Sequence, residues 1–427
     1  MNTTIGPETV QCPIPIMEIT PHIQEFLSTK FLAGELNKEP SIDDIRSELG
    51  YPPAEDVDTS GLIDIRAVKS PVIPPILISE ALPLTQNSAN TTLQAREDLA
   101  NIYTLTDSRL VVALGECAIY NVDATLDYAL HVKRFIKLFP NLKILQRTFF
   151  EKPRTFKPKG SDPSWKGFMY DPHHDGSDDI NFGVIAARML ALRMTDMGIP
   201  LIKEQLNALT PQYLDGLIAQ DNIGARNAYD QKAMEYGSAT SAIPGFKNPL
   251  DGVIEVSAAA AATAHSPQTF LGVSHIGTLA KVRGLGNPYA HFILRGSDLG
   301  PNYLPEHVQM ASRIASEHNL LVSFAIDASH GNSNKDAANQ LIVVENVGEQ
   351  IGDGNDAIRA MHLETALVGG HQKRKMGQSL DGLVYGQSIT DDCAGLDQTE
   401  HMLNILDEKA AKRREKTLRH RSTFGSI

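Results

Sequence analysis

The chain is poor in cysteine. Its 427 residues hold only Cys12, Cys117 and Cys393. An odd, sparse set with no Cys-x-x-Cys pair argues against a disulfide framework and a cysteine-rich zinc site, and for a reducing compartment; a cytoplasmic location is expected. No apolar run approaches the ~18–20 residues of a membrane span. The start, MNTTIGPETVQCPIP, lacks the basic and apolar regions of a secretory signal. Positive charge is also short: 39 Lys and Arg face 51 Asp and Glu, a net of −12, which weighs against a nucleic-acid partner. There is no repeat of fixed period and no low-complexity domain. What remains, 42% hydrophobic and 21% charged residues, is an ordinary soluble globule able to bury a large core.

Residues 1–75 are punctuated by proline from Pro13 to Pro75. They read as an N-terminal extension, too broken for a core, with one helix over Ile42–Leu49 capped by Ser41. It is expected to pack on the main body or on another subunit. Residues 87–102 have helical spacing. Short apolar runs then recur at Leu110–Leu114, Ile144–Phe150, Ile199–Ile202, Asn222–Ala225, Ala242–Phe246, Thr269–Val273, His291–Leu294, Leu320–Ile326 and Ala360–Leu367. Helical segments such as Ala124–Leu138, Ile180–Met197 and Val253–Ala264 lie between them. This alternation predicts an α/β fold with a parallel sheet. No helical pattern separates Thr269–Val273 from His291–Leu294. One of them belongs to an inserted β-hairpin, and the other eight runs make a (β/α)8 TIM barrel over residues 76–410. Residues 411–427 form a basic C-terminal tail, read as a solvated terminal helix rather than a site for an anionic partner.

In such a barrel the chemistry lies where strands end. The stretch Arg147–Lys166 gathers Arg147, Lys152, Arg154, Lys157, Lys159 and Lys166, with Glu151 among them. Taken alone, such a run reads first as a solvated basic loop. The other strand ends change its weight. They supply Cys117, Glu204, Arg226, Lys247, Arg295, His330 and Glu364, with Asp391 in the next loop. Arg147, Lys152, Arg154, Arg226, Lys247 and Arg295 would repel one another in one cavity without anions such as phosphates and carboxylates. Cys117, His330, Glu364 and Asp391 form a mixed S/N/O donor set suited to Mn, Fe, Co or Zn. Singly, each has a structural reading as a buried thiol, a satisfied imidazole or a surface charge.

The motifs FFEKPRT, WKGFMYDP, INFGVIAARML, LTPQYL, IGAR, GFKN, GNPYAHFILRG, DASHGNS and YGQSITDDC occur in order from about Pro74 to Ala410. This stretch resembles the class I 3-deoxy-D-arabino-heptulosonate 7-phosphate (DAHP) synthases. The resemblance implies a (β/α)8 barrel with an N-terminal segment and an inserted hairpin. It also implies metal-dependent condensation of phosphoenolpyruvate with erythrose 4-phosphate, in a homodimer or homotetramer. By matching motifs, Cys117, His330, Glu364 and Asp391 resemble the metal ligands, and Arg147, Arg226, Lys247 and Arg295 the phosphoenolpyruvate grip. Lys152, Arg154 and Thr155 resemble the aldose phosphate site, and Glu204 the acid near phosphoenolpyruvate. Lys152, Arg147 and Glu204 are the expected catalytic residues.

The chain departs from that pattern in places. Gly115-Glu116-Cys117-Ala118 and Ile119-Tyr120-Asn121 replace Gly-Pro-Cys-Ser and Ile-His-Asp. Glu116 either places a carboxylate beside the anion site, or points outward or pairs with a lysine. An insertion, Phe156–Ser164, follows the acceptor residues. These changes point to a divergent paralogue and leave two further readings: another aldose phosphate or aldehyde as acceptor, or a noncatalytic regulatory barrel. Retention of the donor set and the cations weighs against the last.

Overall fold

The computed structural model describes residues 71–154, 165–374 and 380–424. Residues 1–70, where a helix over Ile42–Leu49 is expected, Thr155 and the Phe156–Ser164 insertion lie outside the described residues. Eight parallel strands close a barrel. They are β1 (Leu110–Gly115), β2 (Leu142–Arg147), β3 (Leu201–Gln205), β4 (Ile218–Ile223), β5 (Ile243–Lys247), β8 (His291–Leu294), β9 (Phe324–Asp327) and β10 (Ile358–Glu364). Closure comes from β1, which pairs with β2 on one side and with β10 on the other.

Helices α1 (Pro75–Ala81) and α2 (Gln86–Tyr103) precede the barrel. Around it run α3 (Val122–Leu138), α4 (Ile180–Asp196), α5 (Gln231–Ala239), α6 (Ile254–Ala264), α7 (Pro305–Glu317), α8 (Asn339–Gly352) and α9 (Leu396–Phe424). Their starts are set by side chains that accept otherwise unpaired amides. Asn121 accepts from Ala124, Asp179 from Phe182 and Asp230 from Lys232. The β3–β4 connection has a 3-10 turn, Pro211–Leu214, in place of an α-helix.

Alternation along each strand separates two cores. In β1, Leu110, Val112 and Leu114 join the layer shared with the helices, and Val111 and Ala113 face the barrel interior. That interior is completed by Ala95, Leu99, Ile102 and Tyr103 of α2, which stoppers the end opposite the strand C-termini.

The hairpin is β6 (Gln268–Val273) with β7 (Leu279–Gly284), paired antiparallel from Gln268↔Gly284 to Val273↔Leu279. Of the two ambiguous runs, Thr269–Val273 is thus the hairpin and His291–Leu294 the barrel strand. Two short strands, β11 (Val368–His371) and β12 (Gln387–Ser388), follow the barrel.

Several strand bounds differ from the sequence reading. The second strand stops at Arg147, and beyond it Phe149 lies over the Arg147 and Lys247 cations while Phe150 packs against Phe168. The fourth begins four residues earlier than its apolar pattern indicates, at Ile218. Gln220, Asp221 and Asn222 are buried in it, and Asp221 is satisfied by Lys203 of β3 at 2.7 Å. Buried polar residues, Gln220 and Asn222 toward the interior and Asp221 toward Tyr236 of α5, erase the apolar signal that sequence reading relies on. Helix α9 continues through the basic tail. Arg413 on it is 1% exposed and donates to the Ile358 carbonyl at 2.8 Å.

His291 on β8 is buried and stacks on Tyr103 of the stopper, with ring centroids 4.0 Å apart. Burial brings its pKa down to about 4. The unfolded chain titrates near ~6.5, so above that pH the neutral ring costs nothing, and stability falls as pH drops toward the folded value. Denaturant melts between pH 7 and 4 are expected to show wild type losing on the order of 2–3 kcal/mol more than His291→Phe; parallel curves would refute this.

Candidate functional site

Barrel closure brings the strand C-termini to one mouth. β1 leads into Cys117, β2 ends on Arg147, β3 carries Glu204, and β5 ends on Lys247. β10 ends on Glu364, beside Gly115 of β1 in register. Arg295 follows β8 and His330 follows β9. These two loops touch closely. Gly331 N–H donates to the Arg295 carbonyl at 3.0 Å. A Cβ at Gly296, which has φ +70°, would come within 2.4 Å of the Asn332 amide nitrogen. Glycine is needed there on both counts.

The mouth is a set of paired opposites rather than a ring of bare cations. Arg147 Nη2 donates to Glu364 Oε1 at 2.8 Å, and both side chains are buried. Lys247 Nζ is 2.7 Å from Glu204 Oε1 and 3.8 Å from Asp327 Oδ2. Lys152 Nζ is 2.9 Å from Asp391 Oδ2 and 2.6 Å from Cys117 Sγ. The Phe149 ring covers two of the cations, 3.9 Å from the Arg147 guanidinium carbon and 5.5 Å from Lys247 Nζ. Carboxylates supplied by the fold thus offset much of the repulsion that the sequence alone assigned to six cations.

Charge states follow from these contacts. Burial opposes ionisation of Glu204, yet Lys247 holds its carboxyl below the usual range. Burial also opposes charge on Lys152, but Asp391, with Cys117 and Glu364, raises its pKa above the ordinary lysine value. Lys152 in turn holds the Asp391 carboxyl far below its usual value. Burial and the Asp391 and Glu364 carboxylates push the Cys117 thiol up to about 12. Among the described residues of the mouth, Arg147 Nη1 is buried with no hydrogen-bond partner. An orphan guanidinium nitrogen in a site is the signature of a place for an anion.

Donor atoms of Cys117, Glu364 and Asp391 all lie within 4.8 Å of one another. His330 borders them, with Nε2 3.6 Å from Glu364 Oε1. Its Nδ1 faces Asp327 Oδ2 at 3.0 Å, leaving Nε2 toward the cluster. A second carboxylate fixing one imidazole nitrogen so that the other can ligate is a common arrangement at metal sites. The mixed donors fit a divalent transition ion. A thiol with so high a pKa is ionised only where a strongly bound cation would displace its proton to solvent, as such an ion would.

Residues 85–404 match the DAHP synthetase I family. The chain belongs to that family. It is 38% identical over 351 residues to the Phe-sensitive phospho-2-dehydro-3-deoxyheptonate aldolase of Escherichia coli strain K12, covering 82% of this chain and 97% of that protein. It is 36% identical over 373 residues to the tyrosine-inhibited enzyme of Schizosaccharomyces pombe, covering 86% and 98%. A solved structure of the aldolase from Francisella tularensis SCHU S4 superposes with a TM-score of 0.77 at 36% identity, covering 82% of this chain and 99% of that one.

Within this DAHP synthetase I member, the structure brings Cys117, His330, Glu364 and Asp391 to one side of the mouth, with Arg147, Glu204 and Lys247 beside them. Arg295 is buried near Arg226, which lowers its pKa further after burial itself. Lys152 sits on the donor cluster. Arg154 lies at the exposed rim, its Nε donating to the Trp165 carbonyl at 2.9 Å. Thr155 is outside the described residues. Glu116 takes neither orientation raised from sequence. It is buried and accepts from the Thr125 hydroxyl of α3 at 2.6 Å, and burial pushes its carboxyl up to about 7.

Asp327 and Phe149 were missed by sequence reading. Both were inside quoted motifs, but neither looked exceptional as an acid or an apolar residue. Their roles come from what lies across the barrel.

Cys117→Ala is expected to lose tight binding of Mn, Co or Zn, measured as metal retained per chain after dialysis. Retention at the wild-type level would remove Cys117 from the donor set.

Proposed function

We propose that the chain catalyses condensation of phosphoenolpyruvate with erythrose 4-phosphate to give DAHP and phosphate. This is the first step of the shikimate pathway, or of a secondary-metabolite branch of it. The reading is supported by membership of the family and by relatives named for this aldolase chemistry. The observation that carries it is the Arg147–Glu364 pair: its cation keeps a spare donor for an anion, and its acid belongs to the Cys117/Asp391 donor cluster. An anion grip and a metal cluster thus share one junction.

Cys117, His330, Glu364 and Asp391 would hold a divalent ion, with Mn, Fe, Co or Zn as the fitting choices. When bound, the ion supplies Lewis-acid polarisation of the acceptor carbonyl. Arg147, Arg226, Lys247 and Arg295 hold the phosphate and carboxylate of phosphoenolpyruvate, and Arg154 and Thr155 hold the acceptor phosphate. Holding both anions close offsets their repulsion and orients carbon 3 of phosphoenolpyruvate toward the aldehyde carbon. As that bond forms, the carbonyl oxygen takes a proton from Lys152, which is kept charged by its surroundings. Water adds to carbon 2 and passes a proton to Glu204, which is kept ionised by Lys247. The new hydroxyl on carbon 2 then passes its proton to the phosphate as the bond from carbon 2 to the phosphate oxygen breaks, leaving the ketone and inorganic phosphate.

A second reading concerns the acceptor. Phe156–Ser164 directly follows Arg154 and Thr155 in the chain, and a different aldose phosphate would be recognised there. The test is phosphate release from phosphoenolpyruvate, metal and a panel of aldoses. Release with erythrose 4-phosphate is expected. Release only with another sugar transfers the assignment to that sugar, and no turnover with metal bound makes the barrel regulatory. Lys152→Met should lower kcat about 10²–10⁴-fold while the KM for phosphoenolpyruvate changes little; a wild-type kcat would exclude Lys152 as the proton donor.

A further inference from the structure

Arg154 is exposed at the rim, and its orientation is set by Trp165. The Trp165 carbonyl accepts from Arg154 Nε at 2.9 Å, and the Trp165 ring lies 5.9 Å from the guanidinium carbon. Trp165 is itself fixed. It is 7% exposed, its Nε1 donates to the Asp171 carbonyl at 2.9 Å, and its ring stacks on His174 with centroids 4.6 Å apart and planes 17° from parallel.

His174 is the centre of this clamp. It is 1% exposed and sits in a left-handed turn, φ +59°. Its amide donates to the Asp171 carbonyl at 3.4 Å, and its carbonyl accepts from Arg374 Nη2 at 3.1 Å. Its ring meets the edge of Tyr120 at 6.3 Å and also shares a hydrogen bond with the Tyr120 backbone. Burial, then the Arg374 charge, bring its pKa down to about 4, so the ring stacks as a neutral aromatic. Nε2 has no partner. A buried imidazole with one nitrogen unanswered is a cost. Here it is offset by ties to three loops: the one carrying Cys117, the one carrying Arg154, and the one after β11.

We propose that His174 is a positioning residue for the acceptor's phosphate group: by stacking on Trp165 it fixes the carbonyl and ring that orient Arg154. The inference rests on the reading that Arg154 grips that phosphate. An unclamped Trp165 loosens the carbonyl and ring contacts that help orient Arg154, and the lost order appears as weaker acceptor binding. The chemistry at Lys152 and the grip on phosphoenolpyruvate do not depend on it.

The full-length chain can be tested with His174→Ala and His174→Phe, the second keeping an aromatic ring for the stack. His174→Ala is expected to raise the KM for erythrose 4-phosphate about three- to tenfold. kcat and the KM for phosphoenolpyruvate should stay within about twofold, the scatter of a change that leaves the chemistry alone. His174→Phe should restore the acceptor KM. Loss of melting temperature in His174→Ala with an unchanged acceptor KM would make His174 purely structural and overturn the proposal. So would equal rises in both KM values, or a phenylalanine variant no better than alanine.

Trp165 is the chain's one tryptophan, so its emission gives a readout independent of turnover. Inorganic phosphate should shift wild-type emission, and His174→Ala should need several-fold more phosphate for the same shift. If wild type shows this but does not turn over erythrose 4-phosphate, the proposed reaction falls and the clamp stands. If wild type turns over and His174→Ala keeps both its acceptor KM and its phosphate response, the clamp falls alone.

Discussion

The ion pair between Arg147 and Glu364 is the junction on which the mouth depends. Its partners lie 217 residues apart, on β2 and β10, and both are almost completely buried. Desolvating two charges costs more than their attraction returns unless the surroundings satisfy the rest of each group. Here Glu364 faces His330, and Phe149 covers Arg147. One guanidinium nitrogen is left over. The fold therefore keeps an interaction that is expensive for stability alone and reasonable for a site completed by ligands.

The same logic explains what was legible in the sequence. The alternation of strands and helices and the presence of an inserted hairpin follow from local pattern, whereas the caps at Asn121, Asp179 and Asp230 emerged only from the structure. The strand ends were readable because barrel topology turns remote residues into neighbours. Strand bounds failed where buried residues are polar: Lys203 of β3 pairs with Asp221 of β4, while Gln220 meets Tyr103 of α2 and Asn222 meets His362 of β10, partners that no window along one strand can reveal. Asp327 and Phe149 were hidden for a related reason, since an acid and a phenylalanine acquire meaning only from Lys247, His330 and Arg147 opposite them. The pairing of the cations escaped notice because the acids that neutralise them sit on other strands.

The departures from the family motifs have identifiable physical settings. Asn121, in place of the usual aspartate, still caps α3. Glu116, in place of proline, is buried and accepts from the Thr125 hydroxyl, and burial raises its carboxyl so that it is only partly ionised near neutral pH. Tyr120, in place of histidine, gives its ring edge to His174. Variation next to Cys117 is thus absorbed by the layer of side chains around the mouth, and Cys117 keeps its place beside Asp391.

The stopper formed by α2 has a consequence for biosynthesis. It is made before any strand that it seals. Its apolar positions Ala95, Leu99 and Ile102 meet Val111 of β1 at once in sequence, but also Ile293 and Ala360, which are synthesised nearly two hundred residues or more later. Until β10 arrives to close the sheet, the helix has no complete interior to fill, and loop-closure entropy opposes the distant contacts. A nascent chain therefore carries a greasy helix in waiting for most of its synthesis. Completing the ring is the event that removes this adhesive surface from the cell's folding machinery and from its neighbours.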